Sequence, residues 1–326
     1  MIFRLRHFST QCLQNLSSPV TSIKRIKHLR FKDYRSLSVQ SRPVKLAFIS
    51  YESIKDVTQT SNLCPVIIMH GLLGSKNNWN SLSKTIHQQT GRKVITVDAR
   101  NHGDSPHSTD MSYSHMSEDI VQLIKDVDLK KVILIGHSMG GSTMMYVALN
   151  YPQLIEKLIV VDMSPVRVSP SLTEMIKLFH AMKTVTLDGI LTLSKARKIA
   201  DEQLSQSIPS ERIRQFLLMN LVEAKAGVYK WRVNLPILEQ NFASNIAVFP
   251  QVEDRVYTGP TIFIGGEESD YLKKSDHERI RKFFPTAEFH YIAEAGHWVH
   301  VDKPGEFLNN VITFIKEPLI KEFTNN

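Results

Sequence analysis

A strand-like run, Val132-Ile133-Leu134-Ile135, leads straight into Gly136-His137-Ser138-Met139-Gly140-Gly141 and then into a helical pattern ending near Asn150. This junction constrains the fold more than any other feature of the chain. A G-x-S-x-G sequence between a buried strand and a helix holds its serine on a sharp turn, and the flanking glycines let strand and helix approach without a Cβ clash. A strand of that composition is buried on both faces, so it belongs in a mostly parallel sheet covered by helices.

The sequence on both sides is written to match. Strands are expected at Val44 to Tyr51, Pro65 to His70, Val94 to Asp98, Val132 to Gly136 and Leu158 to Asp162, with helices at Trp79 to Gln89, Ser114 to Val127 and Met139 to Asn150. Met116, Ile120, Val121 and Ile124 share one face of the second helix, for which Ser114 is the expected N-cap. The alternation then stops. Residues 166–250 give helical patterns only, at Leu172 to Met182, Ala196 to Leu204 and Glu211 to Ala224. Strand and helix return at Thr261 to Gly265, His277 to Phe284, Glu288 to Ile292 and Pro304 to Ile315. The reading is an α/β core over 43–165 and 251–320, with a helical cap inserted at 166–250 where it can lie over the carboxyl ends of the strands.

Charge separates the first residues from the rest. The 326-residue chain carries a formal charge of +8, but residues 1–32 hold seven Lys/Arg, six Ser/Thr and no acid, leaving 33 basic and 32 acidic residues elsewhere. A basic, Ser-rich, acid-free start reads as a mitochondrial transit peptide, assigned with its flexible leader to 1–42, and places the protein in the matrix. The body, at +1, has no charge excess suited to nucleic acid. No apolar run reaches the roughly 20 residues of a membrane-spanning helix, although peripheral membrane contact is compatible with the composition. Cys12 and Cys64 make neither a disulfide framework nor a zinc site.

A serine hydroxyl needs a base to take its proton. Gly296-His297-Trp298 lies after the last expected strand, and His297 is assigned that role; His300 is structural, and His70, His102, His107 and His137 are read as loop or pocket hydrogen-bonding groups. Two backbone N–H groups must meet the oxyanion, one after the nucleophile and one in the loop after the early strand, which selects Met139 and Leu72, the latter within His70-Gly71-Leu72-Leu73-Gly74. Two carboxylates compete to orient the histidine. Asp162 closes the apolar run Leu158-Ile159-Val160-Val161 and should emerge half-buried at the sheet edge. Asp270 shares a short loop with Glu267 and Glu268, and burying three acids together is costly, so Asp162 is favoured. The Asp98 to Pro106 loop reads as scaffold, and this chemistry needs neither metal nor organic cofactor.

The segments His70 to Lys76, Val97 to Pro106, Gly136 to Gly141 and Gly296 to His300 together resemble the α/β-hydrolase fold family over residues 43–320, most closely its mitochondrial α/β-hydrolase domain-containing protein eleven group. The resemblance implies a serine acyl hydrolase, with relatives described as diacylglycerol lipases, short-chain esterases and, in yeasts, alcohol acyltransferases. It also implies the acid at the strand end matching Asp162. Some relatives carry an Asp directly after a Trp-Arg-Val-Asn-Leu segment, but here Trp231-Arg232-Val233-Asn234-Leu235 is followed by Pro236, which cannot orient a histidine. Apolar residues Met175, Ile176, Leu178, Phe179 and Met182, with Phe216 to Met219, suit the cap either to acyl chains or to packing on the core. The expected activity is hydrolysis of carboxylic esters of lipid or acylglycerol type through an acyl-enzyme on Ser138. The alternatives are an acyltransferase or thioesterase with the same triad, or a non-catalytic stabilising partner of a mitochondrial complex.

Overall fold

The computed structural model describes residues 42–52, 63–168, 172–190, 192–252 and 254–319. The basic leader expected over 1–42 lies outside them except for Arg42, as does Cys12. Nine strands and ten α-helices are defined among these residues. The first half of the core runs β1 (Phe48–Tyr51), β2 (Val66–Met69), α1 (Asn80–Thr90), β3 (Val94–Val97), α2 (Tyr113–Asp126), β4 (Val132–His137), α3 (Met139–Asn150) and β5 (Ile155–Val161). Between β5 and the next core strand come α4 (Leu172–Thr184), α5 (Leu193–Ser205), α6 (Glu211–Leu218), β6 (Leu221–Lys225), β7 (Val228–Trp231) and α7 (Leu235–Asn241). The chain then returns through β8 (Thr261–Gly266), α8 (His277–Arg281), β9 (Ala287–Ile292), α9 (Val299–Asp302) and α10 (Pro304–Lys316).

Seven strands form one sheet in the order β1-β3-β2-β4-β5-β8-β9, with β1 antiparallel to β3 and every other pair parallel. Alternate side chains enter two cores. Val132, Leu134, Leu158 and Val160 face α2 and α3 through Met116, Ile120, Met144 and Val147. Ile133, Ile135, Ile159 and Val161 face α1 and α10 through Leu82, Ile86, Phe307, Val311 and Ile315. Helices on both faces explain why these strands are apolar at every position rather than at every second one. The chain lays β3 on one side of β2 and β4 on the other, so winding reverses between β2 and β4. Loops diverge at such a reversal and open a crevice at the carboxyl ends of the strands.

Two local expectations are corrected. The cap of α2 is Ser112 rather than Ser114: Ser112 is extended (φ −155°, ψ 168°) and its side chain accepts from the His115 N–H. Tyr113, already helical and buried, anchors that first turn by donating its hydroxyl to the Ile246 carbonyl at 2.5 Å. The 166–250 stretch is also not purely helical. The helix expected to reach Ala224 stops at Leu218, and Leu221–Lys225 pairs antiparallel with Val228–Trp231 across a turn containing Gly227 at φ +72°. Asn220 breaks the helix: its N–H bonds back to the Leu217 carbonyl, its side chain donates to the Leu73 carbonyl at 2.8 Å, and its own carbonyl accepts from Arg232. Those long-range partners override the helical character of Glu223-Ala224-Lys225.

Candidate active site

Ser138 stands between β4 and α3 at φ +53° and ψ −117°, a conformation that non-glycine residues adopt only under constraint. The constraint is visible on every side. A Cβ on Gly136 would overlap the Gly140 carbonyl, and one on Gly140 would overlap the Met69 carbonyl of β2. The Ser138 N–H donates to the Val161 carbonyl at 3.1 Å, and the Ser138 carbonyl accepts from Ser142 as the first turn of α3 closes.

The loop after β2 lies directly against this turn, since a Cβ on Gly71 would sit 3.2 Å from the Cβ of Ser138. The planar Gly71–Leu72 peptide is held by its carbonyl, which accepts from the His70 Nδ1–H at 2.7 Å and from the Gly74 N–H at 3.0 Å. Its N–H, which belongs to Leu72, therefore faces away from those donors. Leu73 follows at φ +62°, its N–H given to His102 Nε2 at 3.1 Å and its carbonyl to Asn220. Met139 occupies the first position of α3, where an N–H has no carbonyl four residues back within the helix.

On the far side, His297 Nδ1–H donates to Asp162 Oδ2 at 2.7 Å. Asp162 is fully buried at φ +47°, and its carboxylate also accepts from the Gly266 N–H at 3.1 Å and from the Ser269 hydroxyl. Sequence reading missed Ser269, because nothing local marks a serine in Glu267-Glu268-Ser269-Asp270 as turned inward between the exposed Glu268 and the half-buried Asp270. Tyr271, from the same loop, stacks on the His297 ring at 3.8 Å between centroids and 19° between planes. The loop expected to be solvated thus holds one buried residue that braces the carboxylate and one ring that braces the imidazole.

The other histidines fall where they can hold loops. His70 Nε2 accepts from the Ala99 N–H and His102 Nδ1–H donates to the Arg100 carbonyl. Burial pushes the His70 imidazole below its ordinary range and takes His102 down to about 3, so both stay neutral as their acceptor roles require. His137 donates its Nε2–H to the His297 carbonyl at 2.8 Å, and His300 lies flat on Trp79 at 4.4 Å. The exposed His107 meets the Arg232 carbonyl.

The Asp98 to Pro106 loop is a scaffold of buried charge. Asp98 accepts from the Lys76 N–H at 2.7 Å, the Lys76 ammonium and the Asp104 N–H, and Arg100 makes a two-pronged pair with Asp119 at 2.7 Å on both prongs. Asn101 joins this loop to residues 166–250 through Asn234, whose N–H and side chain both reach it at 2.9 Å. Pro236 lies in the first turn of α7. Above His297, Phe216 of α6 packs on Trp298 at 5.7 Å, and Arg212 lies over the same ring while pairing with Asp302. Among the described residues, no three His, Cys, Asp or Glu side chains converge as a metal site would require, and no helix is long and apolar enough to cross a membrane.

An elbow serine and a carboxylate-bonded imidazole are the groups that acyl transfer through a covalent intermediate employs. Comparison with known proteins agrees with that chemistry. A family model described as alpha/beta hydrolase fold matches residues 65–304. The chain is 47% identical over 255 residues to the mouse protein named sn-1-specific diacylglycerol lipase ABHD11, covering 78% of this chain and 82% of that one. It is 42% identical over 278 residues to the zebrafish protein of the same name, covering 84% and 83%. Among solved structures, a marine microorganism esterase superposes with a TM-score of 0.74 at 35% identity, covering 83% of this chain and 99% of the esterase.

Proposed function

The chain belongs to the alpha/beta hydrolase fold family, and we propose that it cleaves carboxylic esters of lipid or acylglycerol type by way of an acyl-enzyme on Ser138. The observation that carries the triad is the 2.7 Å bond between His297 and the buried Asp162, set beside a serine held at φ +53°. In the first half-reaction Ser138 Oγ attacks the ester carbonyl carbon while its proton passes to His297 Nε2. Asp162 keeps the Nδ1 hydrogen in place and faces the imidazolium that forms. The oxyanion is met by the N–H groups of Leu72 and Met139. Collapse expels the alcohol, which takes the proton from His297. Water then attacks the acyl-enzyme with His297 as base, releasing the carboxylic acid and restoring Ser138.

The lipid character of the substrate is supported by the names of the mouse and zebrafish relatives and by Phe216 of α6, which packs on Trp298 beside His297. Residues 166–250 act as the cap, joined to the catalytic loops through Asn220, Asn234, Arg212 and Phe216. The test is a screen of esters of increasing acyl length with fluorophosphonate labelling in parallel. Hydrolysis that labelling abolishes supports the reading; a protein that neither hydrolyses esters nor takes the label is a binding protein instead. Adding ethanol separates hydrolysis from acyl transfer, since a transferase would yield ethyl ester in preference to acid.

The acid-free basic stretch over 1–32 supports a mitochondrial matrix location. Deleting it should leave the purified enzyme active and abolish import into isolated mitochondria; import of the truncated protein would overturn the location.

A further inference from the structure

The mechanism above leaves one buried polar group at the centre of the site without a role. His137 is the last residue of β4, only 3% exposed, and it touches all three parts of the proposed machinery. By sequence it adjoins the nucleophile. Its Nδ1 side presses on the loop after β2, where a Cβ on Gly71 would come within 2.9 Å of it. Its Nε2 lies 2.8 Å from the carbonyl oxygen of His297, and its ring is 4.7 Å from the His297 ring. On its remaining side the His300 ring meets it edge-on at 4.6 Å.

A carbonyl only accepts, so the shared hydrogen must be on Nε2 of His137. We infer that His137 is a positioning residue, whose Nε2–H ties the backbone of the base to the strand that carries the nucleophile. The inference rests on the reading of His297 as the base. The loop bearing His297 is also held by the Gly296 N–H on Asp302 at 2.9 Å and by the Glu268 N–H on the Ala295 carbonyl at 3.0 Å, and its imidazole by Asp162 and the Tyr271 ring. The Asp162 contact reaches Ser138 by way of β5, whose Val161 carbonyl accepts the Ser138 N–H at 3.1 Å. The His137 bond reaches it from β4 itself, because residue 137 and residue 138 share a peptide plane. A backbone acceptor rather than a side chain is the target, so the base keeps its ring free to exchange protons. Burial, with His300 and His297 alongside, pushes the His137 imidazole well below its ordinary range. It therefore stays neutral and adds no charge against the imidazolium formed on His297 during turnover.

The substitution His137→Leu removes the donor at similar volume, whereas His137→Gln offers an amide N–H at comparable reach. With p-nitrophenyl esters as probes, the Leu enzyme should lose kcat by about 10², the scale of an ångström of misplacement, while KM changes by less than about twofold. The Gln enzyme should recover most of that loss. The low-field proton resonance of the His297–Asp162 hydrogen bond should broaden or move in the Leu variant and return in the Gln variant, which a role in folding alone would not produce. If the Leu variant does not fold, His137→Asn, whose amide stops near the Nδ1 position, takes its place in the comparison. A folded Leu or Asn enzyme with kcat within about threefold of wild type overturns the inference. So does a Gln enzyme as slow as the variant without a donor, with the resonance unchanged in both. The control His297→Ala keeps the two readings apart: an active His297→Ala enzyme removes the base assignment itself, while an inactive one beside a fully active His137→Leu removes only the role of His137.

Discussion

Along the carboxyl edge of the sheet, Leu73, Asn101, Ser138, Asp162 and Glu294 all hold positive φ without being glycine, five of the seven such residues among those described. The described residues of 166–250 contain none, and their positive φ values fall on Gly189 and Gly227. Each strained residue costs on the order of 1–3 kcal/mol and persists only where its surroundings over-determine it. At the edge they do: Asp162 is fully buried with three donors, and the Leu73 peptide is gripped at both ends. The proposed cap, away from the Asn220 and Asn234 bonds that join it to the edge, is held differently. Its helices pack apolar faces inward and carry exposed ion pairs such as Lys177 with Glu174 and Lys183 with Glu239, which contribute at most about 1 kcal/mol each. Strain and rigid bonding sit where atoms must meet at fixed distances, while the region that would meet chains of varying length is built from interchangeable apolar contacts.

The largest effects should follow from cutting the edge. Ser138→Ala and His297→Ala should each lower ester hydrolysis by several powers of ten, and the double variant should be little worse, since either loss disables one shared step. Phe216→Ala in the cap should instead change KM and acyl-length preference, with kcat within about tenfold of wild type. Loss of kcat by powers of ten from Phe216→Ala would break the division between the regions.

A sharper cut distinguishes the two carboxylates. Asp162→Asn should reduce kcat by about 10³ to 10⁴ with the fold intact, because the amide leaves the imidazole free to take the wrong tautomer and removes the charge beside the imidazolium. Asp270→Asn should cost less than about tenfold, its charge being partly solvated and screened. Kinetics, thermal unfolding and fluorophosphonate labelling on both variants separate catalytic loss from misfolding. A folded Asp270→Asn enzyme with the greater loss would move the acid to the later strand.

How much of this was legible in the sequence follows the same division. Strands buried on both faces announce themselves as unbroken Val and Ile runs, and Ser138 is framed by glycines whose spacing has a steric cause. Asp162 could be placed because it ends such a run. His297 lies 135 residues further on, and only the order of elements puts it in the loop after β9. What escaped was set by contacts distant in sequence: the β6–β7 hairpin depends on Asn220 reaching Leu73, 147 residues away, and Ser269 turns inward only because Asp162 is there. The cap of α2 was missed for a local reason, since Ser112 and Ser114 are equally suitable by type and the burial of Tyr113 decides between them.

Stability gives the next comparison. At Gly140 a Cβ would overlap the Met69 and His70 carbonyls, both fixed in β2 and its loop, so Gly140→Ala should lose at least the ~3 kcal/mol at the upper end of overpacking costs. At Gly189 nothing lies within 4 Å, and Ala there should cost only the ~1 kcal/mol of a left-handed conformation. Chemical denaturation measures both. Equal losses would mean that the cap turn is as tightly specified as the elbow.

The smallest effect appears only in acid and tests whether the edge is also where the fold is proton-sensitive. His300 is buried against Trp79 and His137, and its imidazole is pushed from 6.5 down to about 3, first by burial and then by the neighbouring His297. Below pH 6.5 the unfolded chain takes up a proton at this residue that the folded protein refuses until the pH approaches 3. The unfolded state therefore binds more protons in that window, and stability must fall as the pH falls through it. Above pH 6.5 the contribution is complete and flat. His300→Phe keeps a ring on Trp79 and deletes the titration, and no hydrogen bond is lost at Nδ1, which has no partner among the described residues. At pH 7.5 the variant should unfold within about 1.5 kcal/mol of wild type, the range of volume-conserving changes at a well-packed site. Between pH 6.5 and 4 its stability should decline less steeply than that of wild type, with His70, His102, His137 and His277 contributing to the remaining slope because burial lowers them too. Parallel curves for the two proteins would show that His300 gains its proton without opening the edge, and the acid sensitivity would then have to be sought elsewhere in the fold.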